Sequence, residues 1–389
     1  MTSELGSFAQ ETILHRKPKI IDNVIADNVY PSYIIEQLKH LKKEIAEGKI
    51  QSLTEDAEDV QEWNRIWLRY KGKTWLELPW YFAETYFYRR LLEVVNYFQP
   101  GSLRNHDPFS IPKGKQMEEC LTPLSLAVDI LNGIEDSRLC FENLLHASLW
   151  GNRIDLSNFT VSDEIRRRQA MIERENLLID DFPQVLEIFE EQPLYVAFIN
   201  DNVGMELGLD LYLADFLLRM GWAKQVTFYL KPYPFFVSDA MPKDLLGTIQ
   251  AFNKTSGHLN LLGKHLQDAF LKKKISVSSD WFWASPYHFP EMPVSLYKEI
   301  SRFDMVIAKG DVNYRRLLSD RHWPHTTPIS EIVNYFPTSL LILRTLKGEI
   351  MVNLKEGQAE KLKAEDSDWL INGKRGILQY VERKKKNKF

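Results

Sequence analysis

Acidic and amide side chains follow two apolar runs of the sequence, at the point where each run ends. Asn200-Asp201-Asn202 comes directly after Leu194–Ile199, and Asp239 closes a second apolar run that starts at Phe235. Carboxylate and amide oxygens, without histidine or cysteine, suit a hard or borderline divalent ion such as Mg²⁺ or Mn²⁺. The structural alternative is that Asp201 and Asp239 are helix N-caps, a position that aspartate also favours. The residue types alone leave both interpretations open.

Basic side chains follow two further apolar runs. Lys309 and Arg315 come after Met305–Ala308, and Lys347 comes after Ser339–Leu343. Arginine, lysine and helix N-termini are groups that bind phosphate oxygens. If the apolar runs are parallel strands of one sheet, their carboxyl ends lie at one edge, where open α/β sheets bind ligands. Because a metal ion beside a cationic clamp is the layout of phosphoryl-transfer sites, we predict a metal–phosphate site there.

The residues after Asn202 predict a helix, Gly204–Met220, with Asp201 at its N-cap position. Asn202, Glu206 and Asp210 are four residues apart, so they share one face of that helix. The alternative is a capped helix with a solvated acidic face. A second face of the helix is apolar, and we predict that it packs on the core. Its residues are Leu207, Leu211, Ala214 and Leu218.

From Asp180 onward, short apolar runs alternate with helical patterns, and this alternation predicts βαβ units and a largely parallel sheet. The preceding part is helical in pattern, with an aromatic stretch, Thr74–Phe98, that predicts a packed helical core, and a charged helix, Ile165–Leu178. The predicted fold class is therefore α/β. A helical N-terminal domain (residues 1–180) precedes a three-layer α/β/α domain (residues 181–389) with a mostly parallel sheet. The predicted strands are Leu194–Ile199, Gln225–Leu230, Ile275–Ser278, Met305–Ala308, Ser339–Leu343 and Ile377–Val381.

Composition and missing motifs exclude several classes of protein. The net charge of −4 gives no reason to expect a nucleic-acid or membrane partner, and the two cysteines form no disulfide framework. No signal peptide or membrane span is recognisable, so we expect a cytoplasmic protein. The basic tail Arg383–Lys388 is either a solvated terminus or a signal for a nuclear location. No G-x-G-x-x-G motif follows a strand, so no dinucleotide cofactor is expected. The sequence does not predict an oligomeric state.

Four blocks of the sequence are similar to a known family. They are FINDNVGMELGLDLYLADFLL, KPYPFFVSDAMPKDL, MVIAKGDVNYRRLLSDRHWP and LRTLKGEI. In this order they resemble the metal-dependent damage-control phosphatases, in particular the subfamily of sugar-phosphate phosphatases that is also described as protein-glutamate carboxyl methyltransferases. The aromatic helix and the block LWGNRIDLS resemble the N-terminal part of that subfamily. The resemblance extends from about Arg16 to Val381.

The resemblance implies a function and a set of site residues. The implied substrates are small phosphate esters, namely hexose phosphates such as fructose 1-phosphate, and the implied cofactor is a divalent metal ion. Mn²⁺ is the first choice, with Mg²⁺, Co²⁺ and Ni²⁺ as alternatives. The implied metal ligands are Asp201, Asn202 and Asp239, of which Asp201 and Asp239 are also the implied catalytic residues. The implied substrate contacts are Asp201, Asn202, Glu206, Asp311, Val312, Asn313, Tyr314, Arg315 and Lys347.

Three functional hypotheses follow. The first is a metal-dependent phosphatase, in which Asp201 is either a metal ligand only or also the nucleophile or base. The second is an S-adenosylmethionine-dependent protein-glutamate carboxyl methyltransferase. A usual methyltransferase has a glycine-rich turn after its first strand, whereas Asp201–Gly204 contains a single glycine. The third is a binding module without catalysis, which would have little use for three oxygen ligands and two cations.

Overall fold

The computed structural model describes residues 7–151 and 175–383. The chain divides into two compact units. The first contains the chain up to Lys115, Lys231–Met241 and Asp280–Pro286, and the second contains Gln116–Leu230, Pro242–Ser279 and the chain from Tyr287 onward. The predicted domain boundary at residue 180 stays a prediction. The block after Gly151, the predicted helix from Ile165 as far as residue 174, and the basic tail from residue 384 lie outside the described residues.

The first unit is helical, and its core is the predicted aromatic stretch. The Tyr86 ring stacks on Phe82 with ring centroids 5.2 Å apart, and it also contacts Trp63 and Trp75. Aromatic rings bury large apolar areas, so such a cluster stabilises a small helical unit. The α-helices are Phe8–Glu11, Lys17–Asp27, Ser32–Glu47, Val60–Trp67 and Trp80–Val94, and Ser110–Asn132 begins in this unit and continues into the second.

Buried charges of the first unit are paired with one another. The Arg89 side chain is fully buried and forms ion pairs with Glu55 and Asp59. The Tyr233 hydroxyl donates a hydrogen bond to Asp59 Oδ2 (3.1 Å), so this pair also holds the segment Lys231–Met241. A second buried ion pair joins Lys17 and Glu84. Since an unpaired buried charge is costly, these pairs fix how the helices of the unit fit together.

In the second unit the described residues form a seven-stranded sheet of order β1-β7-β6-β5-β2-β3-β4. All neighbouring strands are parallel except β6 and β7, so the predicted α/β class with a mostly parallel sheet is confirmed. The central strands are buried apolar runs, as is typical of parallel sheets covered on both faces. The strands are β1 Leu177–Asp180, β2 Leu194–Ile199, β3 Ala223–Leu230, β4 Ile275–Ser279, β5 Met305–Lys309, β6 Ser339–Thr345 and β7 Gly376–Val381.

The helices of this unit alternate with the strands. One apolar cluster between them is aromatic: Phe141 packs against Phe189, Phe216 and Trp222 at centroid distances of 5.2–6.0 Å. Within the described residues, no helix is long and apolar enough to cross a membrane. The helices are Ser137–Trp150, Phe182–Glu191, Met205–Arg219, Pro242–Asn253, Gly257–Leu271, Val294–Ile300, Gly310–Leu317, Ile329–Ile332 and Gln358–Glu365.

The sequence prediction is wrong at β1. The predicted charged helix ends at Leu178, but Leu177 and Leu178 lie in a strand that pairs with β7. A four-residue strand has no periodicity of its own to distinguish it from the end of a helix. Its identity depends on a partner strand that is distant in the sequence, and local reasoning does not find such a partner.

The imidazole of His288 gives a testable pH dependence. Burial, together with the positive charges of Arg316 and Arg321, lowers the pKa of His288 from 6.5 to about 4. The unfolded chain therefore binds this proton more readily, and stability is lost as the pH falls from about 6.5 to about 4. We expect a loss on the order of 3 kcal/mol at pH 4 from this group, at about 1.4 kcal/mol per pKa unit.

The measurement is urea unfolding of the wild type and of His288→Gln between pH 4 and pH 8. The difference between the two proteins isolates this histidine from the carboxylates that titrate in the same range. We expect the difference to change with pH below 6.5 and to be constant above it. A difference that is constant over the whole range contradicts the shifted pKa.

Candidate active site at the β2–β5 edge

The strand order of the sheet reverses between the neighbouring strands β2 and β5. The chain leaves β2 for β3 on one side, and it leaves β5 for β6 on the other. Ligands of open α/β sheets bind at the carboxyl ends of such a pair of strands. In the β2–β5 register Ile199 lies beside Ala308, so Asn200-Asp201-Asn202 and Lys309-Gly310 continue from neighbouring positions. The sequence-predicted residues that follow these two strands are therefore brought together.

Asp201 lies against the backbone of Gly310. Gly310 has φ +81°, and a Cβ atom built on it would be 2.0 Å from Asp201 Oδ2. Only glycine allows this approach, because it has no Cβ atom and tolerates positive φ. The Asn202 amide donates hydrogen bonds to Asp201 Oδ2 (2.9 Å) and to Glu206 Oε2 (3.2 Å). Asp201, Asn202 and Glu206 thus form one connected group.

The prediction that Asp201 occupies the N-cap position is wrong. The helix is Met205–Arg219, and its N-cap is Gly204, with φ +75°. Asp201 lies three residues before the cap, in the loop that leaves β2. The helix begins one residue later than predicted, and the predicted first residue, Gly204, is its N-cap. Asp201 is therefore not the N-cap of this helix.

Glu206 occupies the first turn of that helix, and 16% of its side chain is exposed. Burial raises the pKa of Glu206 to about 8, and the negative charges of Asp201 and Asp210 contribute to this, against the positive charge of Lys309. A carboxyl group surrounded by other carboxylates is typical of functional sites.

Lys309 ends β5 and is almost completely buried. Its Nζ lies 2.9 Å from Asp210 Oδ1 and donates hydrogen bonds to the carbonyl oxygen (2.5 Å) and the hydroxyl (2.6 Å) of Ser148. The Ser148 hydroxyl donates to Asp210 Oδ1, and the Asn200 amide donates to Asp210 Oδ2. Asp210 was predicted only by its position on the Glu206 face of the helix, and the structure makes it the centre of this buried network.

Asn313 and Tyr314 are buried in the helix Gly310–Leu317. The Asn313 amide nitrogen donates to the carbonyl oxygens of Lys309 (2.8 Å) and Asn200 (3.2 Å), which joins the ends of β5 and β2. Its Oδ1, like Oδ1 of Asn200, is buried and accepts no hydrogen bond from the described part of the chain. Tyr314 packs its ring under the Arg344 guanidinium, 4.0 Å from the ring centroid. Val312 is partly buried between these residues and Asp311.

Asp311 is paired with two arginines. Its Oδ1 is 2.7 Å from Arg344 Nη2, and its Oδ2 is 3.3 Å from Arg315 Nε. Burial alone would raise the pKa of Asp311, but the charges of Arg344 and Arg315 outweigh it and hold this pKa below its ordinary value. Asp311 lies in the first turn of the helix that follows β5, whose N-cap is Lys309.

Arg315 and Lys347 belong, with Lys309, to the predicted cationic clamp. Arg315 is held by Asp320 (2.9 Å) as well as by Asp311, and a Cβ atom on Gly348 would lie 2.7 Å from its Nε and Nη2. The backbone N–H of Lys347 donates to Asp311 Oδ1 (3.3 Å), while its side chain is exposed. Asp311 thus fixes both cationic positions through one carboxylate.

Asp239 belongs to the first compact unit. Its carboxylate is 1% exposed, and its Oδ2 lies 3.4 Å from the Nζ of Lys231, which also donates to the carbonyl oxygen of Trp283 (2.8 Å). Two residues shortly before it, Phe236 and Val237, have φ +47° and +66°. Positive φ is rare for a β-branched residue and indicates backbone strain, which concentrates at functional sites.

The residues of the second unit fit a hard divalent ion by their chemistry. Asp201 supplies a carboxylate, and the buried Oδ1 atoms of Asn200 and Asn313 supply amide oxygens without a hydrogen-bond donor among the described residues. Oxygen ligands of these types suit Mg²⁺ and Mn²⁺. Within residues 7–151 and 175–383, no group of three or more histidine, cysteine, aspartate or glutamate side chains is placed to hold a metal ion. The candidate ligands for an ion in this unit are therefore amide oxygens together with the Asp201 carboxylate.

Sequence reasoning missed Ser148 and the pairing role of Arg344. Ser148 lies on a helix about sixty residues before Asp210, and nothing local in the sequence distinguishes it. The predicted strand Ser339–Leu343 ends one residue before Arg344, so the burial of Arg344 was not foreseen; a charged residue inside an apolar strand needs a buried partner. Arg344 lies inside β6 (Ser339–Thr345), and that partner is Asp311.

A family model described as "Damage-control phosphatase ARMT1-like domain" matches residues 12–362, and the chain belongs to this family. The curated relatives include Damage-control phosphatase ARMT1 of Danio rerio, 33% identical, and its namesake of Homo sapiens, 30% identical. The alignment covers 96% of this chain and 95% of the Danio rerio protein, and 97% of both chains for the Homo sapiens protein.

A solved structure shares the fold. It is a DUF89 family protein from Pyrococcus horikoshii, with a TM-score of 0.50, 16% sequence identity, and coverage of 97% of this chain and 98% of that chain. The names of the curated relatives are those of phosphatases, so the methyltransferase alternative is not favoured.

Proposed function

We propose that this protein is a metal-dependent phosphatase for small sugar phosphates, with hexose phosphates of the fructose 1-phosphate kind as substrates and Mn²⁺ as the preferred metal. Mg²⁺, Co²⁺ and Ni²⁺ are the alternative metals. The observation that carries the proposal is the close approach of Asp201 to Gly310 at the β2–β5 edge, beside the arginines held by Asp311. It puts a carboxylate and a cationic group at the two carboxyl ends where the fold binds ligands.

Asp201, Asn202 and Asp239 would hold the metal ion. When bound, the metal would neutralise negative charge on the phosphate and lower the pKa of a bound water. Arg315 and Lys347 would hold the remaining phosphate oxygens, since charge-assisted hydrogen bonds from such groups are strong and directional. Glu206 would contact a sugar hydroxyl, and Asn313, with its buried Oδ1, would order the strand ends around the substrate. Asp201 is either a ligand only or also the nucleophile or base.

The test is hydrolysis of fructose 1-phosphate by the purified protein with Mn²⁺, after chelation, and after Mn²⁺ is added back. We expect turnover to be lost on chelation and restored by the metal. Asp239→Asn keeps the shape of the side chain but removes its charge, and we expect it to lower kcat/KM by about 100-fold or more.

Asp268→Asn is the matched control, because Asp268 is an exposed carboxylate that pairs with Lys272 on the same helix. It is expected to retain wild-type turnover. Equal rates before and after chelation would remove the metal from the proposal. Full activity of Asp239→Asn would remove Asp239 from the site.

A further inference from the structure

The Nζ atom of Lys309 has no donor left for a substrate. A lysine ammonium group has three N–H donors. The structure uses all three within 3 Å: one for the Ser148 carbonyl oxygen, one for the Ser148 hydroxyl and one for Asp210 Oδ1. The side chain is 1% exposed, so no solvent-facing rotation is open to it. The expectation that Lys309 belongs to a phosphate clamp therefore does not fit its surroundings.

Asp210 is held by three partners on its two oxygens. Its Oδ1 accepts from Lys309 and from the Ser148 hydroxyl, and its Oδ2 accepts from the Asn200 amide (3.1 Å). This hydrogen bond fixes the amide nitrogen of Asn200, so the Oδ1 atom of the same amide group points away from Asp210. The network thus connects the end of β5, the end of β2 and the helix Met205–Arg219.

Glu206 lies beside this network and also borders the candidate site. Its Oε1 lies 3.9 Å from Lys309 Nζ, which is too far for a hydrogen bond, so Lys309 faces Glu206 without donating to it. Its other oxygen accepts from Asn202 (3.2 Å). The two carboxylate oxygens of Glu206 therefore face a fixed cation and a fixed amide.

We propose that Lys309 is a positioning residue: with Asp210 and Ser148 it forms a closed, buried charge pair that holds Glu206 where it contacts the substrate's hydroxyl groups, and it makes no contact with the phosphate. This inference rests on the proposed function in one respect, namely that Glu206 binds the organic part of the substrate. It predicts that the charge pair sets selectivity between a sugar phosphate and inorganic phosphate.

The experiment compares Lys309→Met, Asp210→Leu and the double variant with the wild type. Removing one partner leaves a buried charge unpaired, whereas removing both leaves an apolar pair of similar volume. We expect the double variant to lose less stability in urea than the two single variants together. In the double variant the KM for fructose 1-phosphate should rise by about tenfold, while the inhibition constant of inorganic phosphate changes by less than about twofold.

The control is Lys272→Met with Asp268→Leu, which removes an exposed pair of the same kind and should leave both constants unchanged. Ser148→Ala is a milder variant of the network that serves if the double variant does not fold, and it should raise KM in the same selective way. A phosphate inhibition constant that rises in parallel with KM would make Lys309 a phosphate ligand and overturn the proposal. An unchanged KM in every folded variant would make the pair structural only, which also overturns it.

The proposed phosphatase function can fail independently of the inference about Lys309. If the wild type hydrolyses no phosphate ester under any metal, the phosphatase proposal fails. Binding of inorganic phosphate, measured by calorimetry, then still decides the role of Lys309. Unchanged phosphate affinity in the double variant, with non-additive stability, supports the closed pair, and weakened affinity overturns it.

Discussion

Gly310→Ala is expected to lower kcat/KM for a phosphate ester by about 100-fold or more, which corresponds to about 2.7 kcal/mol of transition-state stabilisation. The new methyl group would lie 2.0 Å from Asp201 Oδ2, so the carboxylate must move from the end of β2. A second cost is conformational, because φ +81° is unfavourable for alanine by about 1–2 kcal/mol. The measurement is steady-state kinetics with urea unfolding of the same preparation.

The variant Gly221→Ala separates the clash of the new methyl group from the cost of the backbone conformation. Gly221 also has positive φ (+71°), but a Cβ atom there would meet nothing within 4 Å. It should lose similar stability from the backbone and keep its turnover. If Gly310→Ala also keeps its turnover, the approach of Asp201 to Gly310 has no role in catalysis.

The second large effect is expected for Arg344→Met, which should destabilise the protein by about 3–5 kcal/mol. The guanidinium of Arg344 is fully buried, donates to Asp311 Oδ1 (2.8 Å) and to the Ile350 carbonyl oxygen (2.7 Å), and covers the Tyr314 ring. Without it, Asp311 loses one of its two charged partners in the described part of the chain, and the loop around Lys347 loses an anchor. Urea unfolding measures the loss, and activity should fall because Arg315 and Lys347 both depend on Asp311.

Arg65→Met is the matched control. Arg65 is exposed and pairs with Glu62 on its own helix, and exposed pairs of this kind contribute about 0.5 kcal/mol or less. A loss for Arg344→Met no greater than for Arg65→Met would mean that the buried pair adds nothing to stability. Arg344→Lys should not rescue the protein, since lysine lacks the planar fork that reaches three acceptors.

The sequence predicted the convergence of Asp201 and Lys309, and it did so for a physical reason. Carboxyl ends of parallel strands meet at one edge, and β2 was predicted with its observed bounds, Leu194–Ile199. The direction in which each side chain points could not be predicted from the sequence. Lys309 turns to Asp210 and Asp311 turns to Arg344, because burial makes each charge pair with the nearest opposite charge. Those partners come from distant segments, and spacing along the chain contains no information about them.

The place of β7 in the sheet has a consequence for how the protein is synthesised. β1 pairs with β7, and Tyr380 N donates to Asp181 Oδ2 across a separation of 199 residues. During synthesis, β1 and β6 leave the ribosome before β7 does. Until β7 is made, neither strand has the neighbour that lies between them in the sheet. Exposed strand edges pair readily with other chains. A nascent chain that stops before Gly376 lacks β7 and would expose the edges of β1 and β6 that pair with it. Premature termination before β7 should therefore produce an aggregating product rather than a shorter, folded one.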